Sequence, residues 1–260
     1  MNETKAIREQ YRDGTNLEAR IALHARFSTA RQGFHQWLFE YIDVPHDARI
    51  LELGCGTGQL WRTLGARVPR TWRLVLTDMS FGMVSSPDLS GLAPAGPSGL
   101  TQCDAQAIPF ADESFDAVIA NHMLYHVPYL PSALREIRRV LIGGGRLYAA
   151  TNGAGHMHEL DQFAVALGID YRVPNLSFRL ENGAELLAPY FQSVMRHDFA
   201  DSLVVSEAQP LVAYILSMRS AMTGLSDEQL QRMRALVCKR IALEGAMRIT
   251  KETGLFVARK

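Results

Sequence analysis

Short apolar runs alternate with helix-spaced apolar stripes through the middle of the chain, and this alternation sets the expected fold. Runs of strand length fall at 49–53, 73–77, 99–103, 115–120 and 145–151, with helical spacing at 58–67 and 130–141. Apolar runs that alternate with helices predict a parallel sheet covered on both faces. Gly143, Gly144 and Gly145 are expected to stop the second helix and turn the chain into the fifth strand.

The flanks read differently. Upstream, Leu17, Ile21, Phe34, Trp37, Leu38, Tyr41 and Ile42 recur at helical spacing, predicting one or two amphipathic helices over 16–42. Downstream, helices are expected at 156–167, 183–190, 207–219 and 227–246, a sixth strand at 194–199 and a last strand at 254–258. Three prolines and three glycines within 85–99 predict a loop after the second strand.

Composition narrows the partners more than the fold. The 260 residues suffice for one large domain, and Lys plus Arg balances Asp plus Glu at 27 each with no long basic run. A small-molecule substrate is therefore expected, with neither nucleic acid nor membrane as partner. Arg135, Arg138 and Arg139 are expected to form a solvated helix face. Cys55, Cys103 and Cys238 are odd in number without C-x-x-C spacing, and neither a leader nor a membrane-length apolar run is evident. The expectation is a cytoplasmic protein with free thiols, monomeric or homodimeric. The histidines form no familiar ligand set, so no metal is expected.

Candidate chemistry concentrates where the first strand ends. Residues 50–58 read Ile-Leu-Glu-Leu-Gly-Cys-Gly-Thr-Gly, an apolar strand running into a turn with glycine at every second position. Such a turn lets the backbone lie directly against a ligand. A dinucleotide fingerprint would need glycine at position 59, which is Gln59. The second strand ends in Thr77-Asp78, so a carboxylate lies 20 residues beyond Gly58, where it can accept hydrogen bonds from both hydroxyls of a ribose. That feature alone suits dehydrogenases equally well. Further on come Cys103-Asp104-Ala105, Ile108-Pro109-Phe110 and the strand from Phe115, which ends in Asn121-His122-Met123-Leu124-Tyr125-His126.

Glu52-x-Gly54-x-Gly56-x-Gly58, Asp78, Asp104-Ala105 and the fourth strand, in that order, resemble the class I S-adenosylmethionine-dependent methyltransferases, type 11 group. The likeness covers roughly 48–152. It implies a doubly wound, seven-stranded, mostly parallel Rossmann-like α/β sheet, with the last strand antiparallel between the fifth and sixth. It also implies one domain with an N-terminal helical lid (1–47), a core (48–152) and a cap (153–260). S-Adenosyl-L-methionine is the implied cofactor and S-adenosyl-L-homocysteine the product. The implied cofactor-binding residues are Tyr11, Glu52, Gly54, Cys55, Gly56, Gly58, Asp78, Met79, Asp104, Ala105 and Asn121. Asp104 would meet the exocyclic amine of adenine and the Ala105 N–H a ring nitrogen.

Methyl transfer from a sulfonium needs alignment more than a covalent nucleophile. An acceptor hydroxyl or thiol would need a base, and His126 or His122 is expected to serve. Arg12, Arg26 and Phe27 are candidates to reach the site from the N-terminal segment, His156-Met157-His158-Glu159 from beyond the fifth strand, and Tyr171, Arg172 and Phe178 as a cap. Two alternatives stay open: a donor-binding protein without methyl transfer, and a NAD-type oxidoreductase.

Overall fold

The computed structural model describes residues 15–80, 99–166, 177–217 and 226–260. Tyr11, Arg12, Tyr171, Arg172 and most of the expected loop at 85–99 lie outside them. In chain order the regular elements are α1 (Thr15–Phe27), α2 (Phe34–Phe39), β1 (Arg49–Leu53), α3 (Gln59–Leu64), β2 (Arg73–Asp78), β3 (Gly99–Gln102) and β4 (Phe115–Asn121). Then follow α4 (Leu130–Val140), β5 (Leu141–Asn152), α5 (Asp161–Ala166), α6 (Gly183–Leu187), β6 (Ser193–Phe199), β7 (Ser202–Val205), α7 (Ala208–Ser217), α8 (Asp227–Glu244), β8 (Met247–Thr250) and β9 (Thr253–Arg259).

These residues form two compact units: one of 32–80, 99–154, 177–199 and 253–260, the other of 15–31, 155–166, 200–217 and 226–252. The division falls at points other than the expected lid, core and cap boundaries. Residues 32–47 and 177–199 belong with the sheet.

The first unit is a seven-stranded sheet in the order β3-β2-β1-β4-β5-β9-β6. Strands β1 to β5 pair in parallel, and β9 runs antiparallel to both β5 and β6. Ile50 stands opposite Leu74 on one side and Ala117 on the other, which puts the strongest apolar runs in the middle. Leu51, Leu53, Val118, Ala120, Leu147 and Ala149 are buried in one cluster with Ala133, Leu134 and Ile137 of α4. The buried positions of α4 recur at helical spacing from Leu130 to Val140, and Pro131 in its first turn forfeits no helical hydrogen bond.

Three expectations are corrected in this unit. Gly143–Gly145 is not a turn ahead of the fifth strand: β5 begins at Leu141, and the glycines form an irregularity within it, where the pairing with β4 shifts register. The cause is crowding, because a Cβ on Gly145 would lie 3.0 Å from the Asp116 carbonyl and Gly144 takes a φ of 80°. Arg138 and Arg139 do not form a solvated face. Arg138 donates to the Tyr190 carbonyl at 2.7 Å, and Arg139 binds Glu136, Asp112 and the carbonyls of Phe110 and Ile108, each at 2.8 Å. Phe178 is no cap residue: it is fully buried, 5.7 Å ring to ring from Phe256, with its carbonyl held by Thr151. The helix expected at 58–67 runs from Gln59 and passes at Gly65, whose φ is 49°, into a 3-10 turn that ends at Arg67.

The second unit packs α1, α7 and α8 with the antiparallel pair β7–β8 around Leu23, Phe27, Leu203, Leu211, Ile215, Met233 and Val237. Ser226 caps α8 reciprocally, accepting from the Gln229 N–H at 3.2 Å while Gln229 Oε1 accepts from the Ser226 N–H at 3.0 Å. Strands β7 and β8 were not expected from the sequence; at four residues each they are too short to alternate visibly. Several candidate site residues are engaged within this unit. Arg26 pairs with Glu207, and Phe27 is buried. The His156 ring meets the Glu252 carbonyl at 3.1 Å, Glu159 accepts from the Thr250 N–H at 2.9 Å, and burial pushes the His156 imidazole down to about 4. No helix among the described residues is long and apolar enough to cross a membrane.

Candidate active site

The carboxyl ends of β1, β2, β3 and β4 meet along one edge of the sheet, where ligands of open α/β folds bind because the strand order reverses there. Leu53 passes into the glycine turn, and Gly54, Gly56 and Gly58 take φ values of 69°, 55° and 74°. The turn closes with the Gly58 N–H on the Cys55 carbonyl at 2.9 Å, and the Cys55 N–H reaches across to the Thr77 carbonyl of β2, also at 2.9 Å. At Gly54 the requirement is steric as well as conformational: a Cβ would lie 2.7 Å from Cβ of Met123, so the loop after β4 rests against the turn.

Asp78 ends β2 beside this turn. Its Oδ2 accepts from the Gly56 N–H at 2.9 Å and its Oδ1 from the Ser80 N–H at 2.8 Å. Burial raises its pKa, opposed by the backbone N–H groups of Ser80, Gly56 and Met79. A partly desolvated carboxylate with spare lone pairs is suited to accept further donors such as ribose hydroxyls. The Met79 carbonyl is held by Gln102 at 2.7 Å.

Glu52 does not open onto the ligand edge. It is 2 % exposed, and its Oε2 accepts from the indole N–H of Trp61, itself fully buried, at 2.5 Å. Burial and the nearby Asp78 push its carboxyl up to about 8, against the Trp61 hydrogen bond. Its carbonyl accepts from the Thr77 hydroxyl at 2.8 Å. Glu52 therefore fastens β1 to α3 and β2 beneath the turn. Cys55 is buried as well, and its thiol is pushed far up by burial and by Glu52 and Asp78, which suits packing rather than nucleophilic chemistry.

Beyond β3, Asp104 closes a turn in which the Ala107 N–H donates to its carbonyl at 3.0 Å. The Gln106 N–H donates to Asp104 Oδ1 at 2.9 Å. The Cys103 N–H donates to the Asp78 carbonyl at 3.0 Å, tying the two acidic positions together. Ala105 is buried. Arg139 holds the following segment through the Ile108 and Phe110 carbonyls.

The fourth strand brings Asn121 to the same edge. Both side-chain amide atoms of Asn121 are buried without a hydrogen-bond partner among the described residues. A buried amide in that state is costly, and the cost is removed by a ligand or water that supplies the missing bonds. His122 takes a φ of 52°, and its ring lies 5.3 Å from that of Phe34. His126 ends the short turn Leu124–His126, its ring 4.5 Å from Tyr125. The structure thus gathers Gly54, Gly56, Gly58, Asp78, Met79, Asp104, Ala105, Asn121, His122 and His126 at one edge, with Glu52 and Cys55 beneath it. Trp61, Gln106 and Met123 were missed: nothing in their local sequence separates them from ordinary packing and surface residues.

Residues 51–149 match a family of proteins described as a methyltransferase domain. Over that stretch the chain is similar to the type 11 group of methyltransferase domains. Over 136 residues, 49 % of this chain and 56 % of the relative, the protein is 32 % identical to the 2-phytyl-1,4-naphtoquinone methyltransferase of Thermosynechococcus vestitus. Over 166 residues it is 31 % identical to the malonyl-acyl-carrier-protein O-methyltransferase of Halorhodospira halophila, covering 64 % of this chain and 55 % of that one. The chain spans about half the length of the curated relatives it matches. Phosphoethanolamine N-methyltransferase 2 of Haemonchus contortus, solved with S-adenosylhomocysteine and phosphomonomethylethanolamine, superimposes with a TM-score of 0.60 at 16 % identity, covering 100 % of this chain and 60 % of that one. At that identity the likeness bears on the fold. The sheet has its antiparallel last strand between β5 and β6, the placement expected of that group and not required of a dehydrogenase sheet.

Proposed function

We propose that this protein is an S-adenosylmethionine-dependent enzyme that moves a methyl group to a small-molecule acceptor by in-line displacement. The observation that carries the reading is the row of groups along one sheet edge: the left-handed glycine turn, Asp78 hydrogen-bonded to Gly56, and Asp104 tied to Asp78 through Cys103. That row suits an adenosyl ligand lying across β1, β2 and β3, with its ribose at Asp78 and its base at Asp104 and Ala105. When bound, S-adenosylmethionine supplies a methyl group already activated on a sulfonium. The chain's own residues then orient and exclude. The glycine turn admits the amino-acid portion, and the amide of Asn121, without a partner among the described residues, supplies hydrogen bonds toward that portion or the acceptor. His126 is the proposed base for an acceptor proton, with His122 as second candidate; the ring of His122 is already packed on Phe34.

The acceptor is proposed as a small molecule because charges balance and no long basic run appears. The relatives named above are a 2-phytyl-1,4-naphtoquinone methyltransferase and a malonyl-acyl-carrier-protein O-methyltransferase, so similarity over the shared core leaves the acceptor atom open. A cytoplasmic location, as monomer or homodimer, completes the proposal and is consistent with three unpaired cysteines. The test is calorimetric titration with S-adenosylhomocysteine, followed by incubation with methyl-labelled donor and a panel of hydroxyl, thiol, amine and quinol acceptors. Label transferred to any acceptor supports the enzyme. Tight binding with no transfer across the panel favours a donor-binding protein instead.

A further inference from the structure

We propose that Gln106 is a positioning residue of the donor site, which fixes the Asp104 carboxylate in the orientation that receives the exocyclic amine of the donor's purine. The inference rests on the cofactor reading above and adds to it a residue that the family resemblance did not supply.

The side chain of Gln106 is bonded at both ends of its amide. Its Nε2 donates to both carboxylate oxygens of Asp104, at 3.1 and 3.2 Å, and its Oε1 accepts from the backbone N–H of Tyr129 at 3.1 Å. The second contact removes the usual ambiguity of amide orientation: only a carbonyl oxygen can face an N–H, so the NH2 must face the carboxylate. Tyr129 immediately precedes α4, whose first turn has no side-chain cap. One of the helix's otherwise unpaired N-terminal donors is thereby satisfied by Gln106.

The consequence falls on the Asp104 side chain. Its backbone is already set by the turn with Ala107 and by the Cys103 bond to β2, so the two torsions that aim the carboxylate are the main freedom left. Gln106 removes that freedom, with the backbone N–H of the same residue on Oδ1 as a second restraint at 2.9 Å. The chain of bonds runs from carboxylate to Gln106 to the start of α4, whose Leu130 and Leu134 are buried in the sheet core. Acceptor capacity remains: an ionised carboxylate has about four lone-pair sites, and among the described residues Oδ2 receives only the shared Gln106 Nε2 bond. An amine donated to Oδ2 would find its acceptor already aimed and would not have to order it on binding.

The experiment measures Kd for two ligands, S-adenosylhomocysteine and its analogue in which hydrogen replaces the 6-amino group, against the wild type, Gln106→Leu and Gln106→Glu. Thermal melts confirm that each variant is folded. Gln106→Leu should weaken S-adenosylhomocysteine by about tenfold, the size of a lost charge-assisted hydrogen bond, and the deaminated analogue by less than about twofold. Gln106→Glu still offers an oxygen to the Tyr129 N–H but sets one carboxylate against another, so it should weaken S-adenosylhomocysteine more than Gln106→Leu does. Equal weakening of both ligands would overturn the proposal, since a merely structural residue does not distinguish the amine. Unchanged or tighter binding of S-adenosylhomocysteine would also overturn it, making Gln106 idle or an occupant that the ligand displaces. If the wild type binds neither ligand, the cofactor reading itself fails and this proposal falls with it.

Discussion

Replacing Glu52 by Gln should make the sheet unit more stable at alkaline pH and leave it nearly unchanged at pH 5. The wild-type carboxyl is buried, bonded to the Trp61 indole and held up to about 8 against an ordinary 4.5. An unfolded chain releases this proton near 4.5, whereas the native protein keeps it until about 8. The native state therefore binds more protons across that interval, and stability falls as pH rises through it. Each pH unit of the interval is worth about 1.4 kcal/mol, so the ceiling is near 5 kcal/mol and an observed difference of about 3 kcal/mol is expected once the site relaxes. Glutamine keeps an oxygen for the Trp61 N–H and cannot ionise, so its curve lacks this slope. Urea unfolding from pH 5 to 9, followed by tryptophan fluorescence, is the assay, because Trp37, Trp61 and Trp72 all lie in the sheet unit. Converging curves near pH 5 that separate toward pH 9, with the Glu52→Gln variant above, are expected. Parallel curves throughout would refute the reasoning that Glu52 is forced to ionise in a buried place.

Asp78→Ala should weaken S-adenosylhomocysteine by about 1.5–3 kcal/mol in a folded protein, through loss of two ribose hydrogen bonds to a charged acceptor; unchanged affinity in calorimetry would remove Asp78 from the site. Gly54→Ala should destabilise the protein by about 1–3 kcal/mol, since its Cβ would meet Met123 at 2.7 Å on a backbone with φ of 69°; an unchanged melting temperature would contradict the close approach. Arg139→Met should cost about 1–3 kcal/mol, because the Phe110 carbonyl loses its donor and the Ile108 carbonyl keeps only the Phe110 N–H; hydrogen exchange confined to 106–113 would locate the effect. For an acceptor that must lose a proton, His126→Gln should lower kcat by about 100-fold or more with little change in donor Kd, and an unaltered kcat would pass the role to His122 or to solvent.

The sheet was legible where burial leaves a plain mark. β1, β2 and β4 are short apolar runs, the glycine turn needs its residues for backbone reasons, and Asp78 and Asp104 stand out because each acid follows a strand. The position of β9 followed from the family resemblance rather than from periodicity. Elsewhere the pattern misled. Three glycines in a row signal a turn, yet at 143–145 they admit a close approach of Asp116 to the bulged strand. A row of arginines on a helix signals solvent, yet Arg138 and Arg139 reach carbonyls distant in sequence. Glu52 looked like a ligand residue because it opens the motif, but its partner Trp61 is in the first turn of the next helix, a pairing visible only once β1 and α3 are packed. Gln106 gave no signal, since its role depends on Tyr129, 23 residues away.

The most direct test of the central claim is a calorimetric titration of the wild-type chain with S-adenosylhomocysteine and, separately, with NAD. Saturable one-to-one binding of S-adenosylhomocysteine at micromolar concentrations, with no heat from NAD, is the result predicted by a glycine turn, Asp78 and Asp104 arranged along this sheet. Binding of NAD in place of S-adenosylhomocysteine, or of neither, would contradict it.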